Sequence, residues 1–340
     1  MICNRVRPWL AVSGGIAGLM AFGAVAQAQD AQAPAAAPEA AAQSVDYPCD
    51  SITIVAHTAA GGPVDTMARK IAQEIEGVTG ATTTVENRPG GDGAAAISYL
   101  LTQAADGCTI GTVTSSLTFA MAKGGMPFEL SDVRFVKTLN GEPTSVAVLA
   151  DSPLQTLDDF VQQMKQDPEA LRIGGYGAGG FHQFVLYRLQ EAAGFEGTWV
   201  PFDAGNKAAL ALLGGHLDVA MMTPSSATAQ VQNGEIRLLG ISTAETSPYF
   251  ADVPTLTEGG YDVVELLWRG LMVKAGTPDE VVDALQAALE TIEATPGWDE
   301  FIAQTLQEKV DTRDADLMAQ TETEVEQRRS FLEAGGFLAN

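Results

Sequence analysis

The segment Ile52–Arg69, ITIVAHTAAGGPVDTMAR, contains the pattern that decides the fold. Its first five residues are apolar or β-branched and predict a buried strand, and Gly61 and Gly62 then mark a turn. Pro63 suits the first position of a helix, and Asp65 complements the positive end of the helix dipole. A strand, a glycine turn and a helix start direct several backbone N–H groups at one point, which is typical of an anion site.

This pattern has a second explanation, since many helix starts carry Gly and Asp only to turn and cap the chain. A repeat of the pattern favours the anion site. Leu171–Gly175 predicts a strand that enters the glycine-rich segment 174–180, GGYGAGG, and a helix with Phe181 in its first turn follows. Two such helix starts that face each other across a cleft would hold a dicarboxylate or a similar anion.

The N-terminus predicts export. In residues 1–28, Arg5 and Arg7 precede an apolar stretch, and a small-x-small cleavage site ends at Ala28. Several glycines in that stretch argue against the alternative, a membrane anchor. Residues 29–46 are rich in Ala, Pro and Gln and lack the large side chains of a core, so we expect a tether.

Charge restricts the class of partner. The chain has 43 acidic and 19 basic residues and a formal charge of −24, which becomes −26 when the two arginines of the signal are removed. Such acidity argues against nucleic acid or an anionic membrane surface. It does not exclude a small anion, because local amides and helix ends determine the field in a pocket more than distant charges that salt screens.

Two cysteines remain after export. Cys49 and Cys108 each precede a predicted strand, and in an oxidising compartment they predict a disulfide; two unpaired buried thiols are the alternative. Neither these cysteines nor the three histidines have metal-ligand spacing, so we expect no metal and no cofactor.

Alternation of short strands and helices predicts βαβ units and parallel sheets. In such sheets ligands gather at the carboxyl ends of the strands, where the loop after Ala56 and the Thr114-Ser115 loop both lie. From Thr277 onward the pattern is mostly helical and predicts helices that cover the sheets.

A series of motifs in order along nearly the whole mature chain resembles the Bug family, the periplasmic solute-binding receptors of tripartite tricarboxylate transporters. The motifs are Ile52–Arg69, Val85–Gly90, Ala105–Thr109, Leu210–Val219, Gly234–Ser242, Val253–Tyr261 and Ala275–Pro278. The resemblance implies an α/β, type II-like binding-protein fold, in which each of two lobes is a mostly parallel sheet flanked by helices and the ligand cleft lies between them. We place lobe 1 at 47–147 and 271–340 and lobe 2 at 148–270, with crossings near Ser145–Ala150 and Trp268–Val273.

The resemblance implies a periplasmic receptor, without catalysis, that captures a small organic anion by hinge closure. The anion is expected to be a carboxylate or dicarboxylate. The expected partners are the ligand and the membrane subunits of the transporter, with a sensor kinase as a further candidate, and the expected state is a monomer. The alternative is a periplasmic hydrolase or transferase acting on a small anionic substrate. The chain lacks the G-x-S-x-G and S-x-x-K motifs that would present an activated serine, and it lacks a phosphate-binding G-x-x-x-x-G-K-[ST] motif.

We expect the ligand to contact the strand-end loops of both lobes. The candidate residues are His57, Thr58, Ala59, Ala60, Gly61, Gly62, Pro63, Asp65, Thr114, Ser115, Gly177, Ala178, Gly179, Gly180, His182, Phe202, Asp203, Ala204, Gly205 and Pro224.

Each of four candidate residues has two possible roles. His57 stands where the family usually has an aromatic residue, and it either bonds a carboxylate, which would make binding pH-dependent, or only fills that space. Asp203 stands where the family has a lysine, which implies a less charged ligand or a carboxylate turned toward solvent. His182 follows the glycine loop one residue earlier than the corresponding histidine of the family, and it is either a donor to the anion or a packing residue. Trp268 either lines the cleft or lies in the core.

Overall fold

A computed structural model of the chain describes residues 44–338. Strands β1 to β11 are Ser51–Ala56, Thr82–Asn87, Thr109–Thr114, Val133–Pro143, Ser145–Leu149, Ile173–Tyr176, Trp199–Phe202, Val219–Met222, Ile236–Ile241, Leu266–Lys274 and Glu308–Lys309. Helices α1 to α10 are Pro63–Thr79, Ala94–Thr102, Ser116–Lys123, Leu157–Gln166, Phe181–Ala193, Gly205–Leu213, Thr228–Gln232, Asp279–Glu293, Pro296–Thr305 and Asp314–Ala334. The predicted signal peptide and most of the predicted tether lie outside the described residues.

Helix α1 forms as its sequence predicts. It begins at Pro63, and Gly80, in the left-handed conformation with φ 74°, ends it. The apolar positions at helical spacing are buried; they are Val64, Met67, Ala68, Ile71 and Ile75. Removing each of the larger of these side chains from water contributes about 1.5–3 kcal/mol, which fixes this face of the helix against the sheet.

The strands form two sheets. The first has the order β11-β4-β10-β3-β1-β2 and the second the order β7-β6-β8-β5-β9. The predicted α/β fold with two lobes is confirmed, but both sheets are mixed and not mostly parallel: β1 pairs in parallel with β2 and β3, and β6 with β7 and β8, whereas every pair of β4, β5 and β10 is antiparallel. The bounds of β4, β9 and β10 were not predicted from the sequence, because polar residues interrupt the apolar pattern of these strands.

The strand directions place the carboxyl ends of most strands of both sheets at the cleft between the lobes. In the first sheet β1, β2 and β3 are parallel and β4 runs with them, because both β3 and β4 pair antiparallel with β10. In the second, β6, β7 and β8 are parallel, and β5 is antiparallel to β8 and β9. Only Thr144 separates the end of β4 from the start of β5. The carboxyl ends of β1–β4 and of β6–β9 therefore meet at the same gap.

The chain passes between the sheets twice. It leaves the first sheet at Pro143 and enters the second at Ser145, and it leaves the second at Ile241 and re-enters the first at Leu266. These strand memberships favour somewhat earlier changes of lobe than the predicted ones. The division at 147 and 270 stays a prediction.

Helix α10 spans both lobes. Near its start, Arg134 of β4 donates to Asp314 from Nε at 3.1 Å and from Nη2 at 3.0 Å. Near its end, the fully buried Arg328 donates to Glu265 at 2.8 Å and lies over the ring of Phe184 at 4.0 Å. Phe331 packs against the same ring, with centroids 5.4 Å apart. This helix joins the first sheet to the core of the second lobe.

The predicted disulfide between Cys49 and Cys108 is confirmed. It joins the segments that enter β1 and β3, whose pairing continues in the bond from Thr53 N–H to Cys108 O at 2.9 Å. Within residues 44–338, no helix combines the length and the apolar character that crossing a bilayer requires.

We predict that loss of this disulfide lowers the free energy of unfolding by about 2–4 kcal/mol, because the bridge restricts an unfolded loop with a sequence separation of 59. Urea unfolding followed by tryptophan fluorescence measures the change in the double variant Cys49→Ser/Cys108→Ser. Wild-type protein unfolded with a reductant is the control and should match the variant. Equal stability of the oxidised wild type and the variant would contradict the prediction.

Candidate ligand-binding site

The loop between β1 and α1 is held by a buried carboxylate. Asp65, 3% exposed, accepts from the N–H of Gly61 at 2.8 Å, from Arg69 Nε at 3.0 Å and from Asn87 Nδ2 at 2.8 Å. The hydrogen bond from Arg69 is the largest cause that lowers the pKa of Asp65, to about 2. Asn87 also donates to Thr58 O at 3.1 Å. Asp65 therefore positions the loop and uses the Gly61 amide itself.

The remaining residues of this loop lie at the edge of the first sheet. Ala59, Ala60, Gly61 and Pro63 are exposed, and Thr58 and Gly62 are half-buried. No side chain caps the helix at Gly62. The first N–H groups of α1 are thus open to an acceptor at the gap.

His57 turns toward the sheet. Its Nδ1 lies 2.8 Å from Thr112 Oγ1 and 3.1 Å from Thr112 O, and its backbone N–H donates to Thr112 Oγ1 at 3.2 Å. Burial lowers the pKa of His57 to about 4. The ring also packs beside Gly93, with its atoms 3.8–3.9 Å from where a Cβ would stand. The imidazole is neutral at pH 7 and fills space between β1, β3 and the start of α2.

The end of β3 contributes two buried hydroxyl groups. Thr114 Oγ1 accepts from the N–H of Ser116 at 3.2 Å and so helps to start α3. The N–H of Ser115 donates to Trp268 O at 3.0 Å, and its Oγ has no partner among the described residues. Trp268 itself is 2% exposed and lies in the core beside Met272 and Phe128.

The second glycine loop follows β6. Gly177, with φ 74°, donates its N–H to Phe202 O at 2.9 Å and accepts from Trp199 Nε1 at 2.8 Å. Gly179, with φ 62°, donates its N–H to Gln183 Oε1 at 2.8 Å. These two amides are used within the loop. Ala178 is exposed, and Gly180 starts α5 in an extended conformation without a side-chain cap.

His182 lies in the core at the first crossing. Its Nδ1 is 2.8 Å from the hydroxyl of Thr144, and both side chains are at least 95% buried. Burial lowers the pKa of His182 to about 4. The side chain is therefore a neutral packing group beside the strand connection.

The third strand-end loop follows β7. Asp203 is exposed and its carboxylate pairs with Lys207 Nζ at 2.9 Å, which lowers the pKa of Asp203. Of the two alternatives for Asp203, the structure has the carboxylate turned toward solvent. Gly205 starts α6 so close to Ser226 that a Cβ would lie 2.5 Å from its Oγ. This contact packs the half-buried Phe202–Gly205 loop on the turn that begins at the buried Pro224.

The structure brings the second and third loops together through the Gly177–Phe202 hydrogen bond. No hydrogen bond among the described residues joins the loop at 57–63 to the loop at 177–180. The two loops lie at carboxyl edges that meet at the gap, as the strand directions require. Contact of the candidate residues with a ligand stays a prediction.

The helix starts at the gap share a feature that sequence reasoning missed. Helices α3, α5 and α6, which follow β3, β6 and β7 there, have no acidic residue in their first turn. Helices α4, α8 and α10 begin at the far edges of the sheets, and each has two. The positive ends of α3 and α5 therefore have no acid of their own helix beside them, although the chain as a whole is strongly acidic; α1 has Asp65 in its first turn, and Asp203 precedes the N-cap of α6. Counting first-turn acids per helix would have revealed this from sequence.

Sequence reasoning also missed a buried ion pair near the carboxyl end of β4. Glu142 and Arg269, 1% and 2% exposed, lie 3.3 Å apart on β4 and β10. Ser225 of the second lobe donates to Glu142 at 3.0 Å. A charged residue within an apolar strand is unusual, because charged side chains are rarely buried. This feature of the sequence could have identified the pair.

Residues 67–337 match the family described as "tripartite tricarboxylate transporter family receptor". The chain belongs to this receptor family. The resemblance to the Bug family is thereby confirmed, since one relative is the protein BugT of Bordetella pertussis, 27% identical over 266 residues that cover 76% of this receptor and 81% of BugT. A protein from the gbd 5′ region of Cupriavidus necator is 29% identical over 275 residues, 79% of this chain and 82% of the relative.

Solved structures share the fold of this receptor. A solute-binding protein of the same family from Polaromonas, determined without ligand, has a TM-score of 0.76 at 24% identity and covers 85% of this chain and 99% of its own. A Rhodopseudomonas palustris protein with adipate has a TM-score of 0.70 at 23% identity, with 86% and 99% covered. MatC of the same organism, with bound malate, has a TM-score of 0.68 at 23% identity, with 84% and 99% covered.

We predict that the receptor loses stability as the pH falls from 7 to 5. The unfolded chain takes up a proton at His182 with a pKa near 6.5, whereas the folded chain, with a pKa near 4, stays neutral there. The unfolded state therefore binds more protons, and this histidine alone lowers the free energy of unfolding by about 2 kcal/mol at pH 5.

The variant His182→Gln should show a correspondingly smaller loss between pH 7 and pH 5 in urea unfolding. His216→Gln, which changes an exposed histidine, is the matched control and should keep the wild-type dependence. A dependence in His182→Gln as steep as in the wild type would show that His182 is not buried as a neutral group.

Proposed function

We propose that this receptor is exported to the periplasm, captures a small organic carboxylate or dicarboxylate between its lobes by hinge closure, and delivers it to the membrane subunits of a tripartite tricarboxylate transporter. The candidate ligand contacts are the strand-end loops at 57–63, 114–115, 177–180 and 202–205, together with Asp65, His182 and Pro224. We expect the receptor to act as a monomer, and a sensor kinase is a further candidate partner.

The observation that carries the proposal is the set of helix starts at the gap. Helices α1 and α3 begin at the carboxyl edge of the first sheet, and α5 and α6 begin at that of the second. Their N-cap positions have no side-chain cap. At α3 the N–H groups of Ser115 and Ser116 already donate to Trp268 O and Thr114 Oγ1, so this helix contributes its dipole. The first N–H groups of α1, α5 and α6, with the positive dipole ends from both sides, suit a negative ligand.

The electrostatics favour an anion at this place in spite of the total charge. Of these four helices, only α1 has an acid in its first turn, and Arg69 neutralises that acid, Asp65, at 3.0 Å. The surface acids elsewhere are screened within about 8 Å at physiological salt. The low number of acids at these helix starts favours an anion there.

Structures with the same fold support a carboxylate. MatC was determined with malate and a second Rhodopseudomonas palustris protein with adipate. Both ligands are dicarboxylates, of different length. At 23% identity these likenesses concern the fold, so the chemical class of the ligand is the part that we extend to this receptor.

The connections between the lobes support hinge closure. The first connection is the single residue Thr144, and the second is the segment 242–265. A ligand that contacts both lobes stabilises the closed arrangement by the free energy of the contacts that it makes only there.

The alternative, a hydrolase or transferase, would need a hydroxyl group beside a base that a substrate can reach. Two hydroxyl groups lie 2.8 Å from a histidine nitrogen, that of Thr144 beside His182 and that of Thr112 beside His57, and both hydroxyl-bearing side chains are 1% exposed. This burial favours a packing role. Steady turnover of a carboxylate ester by the purified protein, without a transporter, would overturn the receptor proposal.

We predict that the purified protein is stabilised by carboxylates. A thermal-shift panel would contain mono-, di- and aromatic carboxylates, each titrated, with the corresponding amides as uncharged controls. A ligand that binds only the folded state adds about 2.7 kcal/mol at a free concentration of 100 times its Kd. Equal shifts for acids and amides, or no shift with any acid, would contradict the proposal.

We predict that Gly180→Asp weakens binding without loss of stability. An aspartate at this N-cap accepts from the first N–H groups of α5, and a Cβ there has only Tyr176 O near it, at 3.8 Å. Thermal unfolding should therefore be unchanged or slightly raised. Affinity for the carboxylate should fall by about tenfold or more, because the new carboxylate occupies the same donors.

Two variants control this experiment. Gly180→Ala adds the Cβ without an oxygen and should keep the affinity within a few fold. Gly77→Asp adds the same charge at an exposed position near the other end of α1, where nothing lies within 4 Å of the added Cβ. Wild-type affinity in Gly180→Asp, measured by calorimetry, would exclude the start of α5 from the site.

A further inference from the structure

The polar cluster near the carboxyl end of β4 is only partly satisfied. It is built around Glu142 and Arg269, which sit on β4 and β10 where these strands reach the carboxyl edge. Register places Asn140 of β4 and Thr114 of β3 opposite Arg269 on its two sides. The cluster therefore lies beside the loop that connects β3 to α3.

The carboxylate of Glu142 has all the partners it needs. It accepts from Gln307 Nε2 at 2.8 Å and from Ser225 Oγ at 3.0 Å, and Arg269 Nη2 lies 3.3 Å from it. Its donors come from both lobes, because Ser225 follows β8 of the second sheet. The charge of the Glu142 carboxylate is thus compensated by Arg269, and its hydrogen bonds hold it in place.

Arg269 and Asn140, in contrast, have side-chain atoms without hydrogen-bond partners. Nε and Nη1 of Arg269 have no hydrogen-bond partner among the described residues, and neither does either amide atom of Asn140. Arg269 is 2% exposed and Asn140 is fully buried. Ser115 Oγ, also fully buried and next along the chain from Thr114, and Oε1 of the buried Gln307 are the other atoms of this cluster without a partner.

Buried polar groups in folded proteins almost always have partners, and a guanidinium with two unpaired nitrogens costs free energy unless an acceptor completes it. The missing partner of Arg269 must be an acceptor, because guanidinium has only donors. A carboxylate suits it, because its negative charge strengthens a hydrogen bond from a guanidinium N–H. Nε and Nη1 lie on different edges of the guanidinium, so a carboxylate oxygen completes one of the two.

We propose that Arg269, with Asn140 beside it, holds the second carboxylate of a dicarboxylate ligand whose first carboxylate lies at the helix starts. This inference rests on the proposed function and specifies its substrate class. Asn140 can donate to the same carboxylate through Nδ2, and Ser115 through its hydroxyl group.

The position of the cluster agrees with this role. The charge of Arg269 reaches the base of the first loop, where it contributes to the lowered pKa of His57. Ser225 brings the second lobe to the same cluster through Glu142. A ligand that spans from the helix starts to Arg269 would therefore contact groups that both lobes hold in place, which favours closure.

The test compares dicarboxylates with monocarboxylates of the same chain length. Calorimetry would measure the Kd values of succinate, butyrate, adipate and hexanoate for the wild type and for Asn140→Leu and Arg269→Lys. We expect the dicarboxylate of the preferred length to bind the wild type at least tenfold more tightly than its monocarboxylate. Each variant should reduce that ratio by tenfold or more and leave the monocarboxylate Kd within about threefold.

The variants also separate binding from packing. Asn140→Leu removes two unpaired buried atoms at similar volume, so its melting temperature should equal or exceed that of the wild type. Asn233→Leu and Arg172→Lys, both at exposed positions, are the matched controls and should keep the wild-type ratio.

The outcomes distinguish the two proposals. Binding of no carboxylate by the wild type would overturn the proposed function. Binding of dicarboxylates with an unchanged ratio in a folded Asn140→Leu and Arg269→Lys would overturn this inference alone and leave the receptor proposal intact.

Discussion

The connection from β4 to β5 is the constraint on which the rest of this structure depends. One residue, Thr144, separates a strand that ends at the edge of the first sheet from a strand that begins at the edge of the second. So short a link keeps the two edges together. Strands β1, β2 and β3 run in the same direction as β4, and β6 to β9 run opposite to β5, so their carboxyl ends, and the helix starts that follow them, also lie at this gap. The order and direction of the strands therefore determine where the site lies, and the side chains determine what it binds.

Charge is distributed to suit that site. A chain with a formal charge of −24 would repel an anion if its acids were placed evenly, but α3, α5 and α6 have none in their first turns. The one acid at such a start, Asp65, is paired with Arg69 and holds the loop in shape. Acids occur instead at the far ends of the sheets, where they stabilise α4, α8 and α10. The acidic side chains thus stabilise helices away from the gap and are few at the helix starts that face it.

Buried charges tie the lobes to one another. Arg328 of α10 reaches Glu265, which precedes β10, and Glu142 of β4 reaches Ser225 of the second lobe. Breaking one side of such a pair leaves an uncompensated charge, which is strongly destabilising. These contacts therefore limit the arrangements that the lobes can adopt. Nε and Nη1 of Arg269, both amide atoms of Asn140, Oε1 of Gln307 and Nε of Arg328 have no partner among the described residues.

Local patterns in the sequence were enough to predict the strand, glycine turn and helix at 52–79, the second glycine loop, the two-lobed fold and the disulfide between Cys49 and Cys108. These depend on neighbours within a few residues, or on a resemblance spread along the chain. Only the tertiary structure decided that the Gly61 amide is bound by Asp65, that His182 pairs with Thr144, and that Glu142 and Arg269 meet. Those partners are set by strand register and by the crossing between sheets, and no sequence period encodes which residues will face each other across two strands.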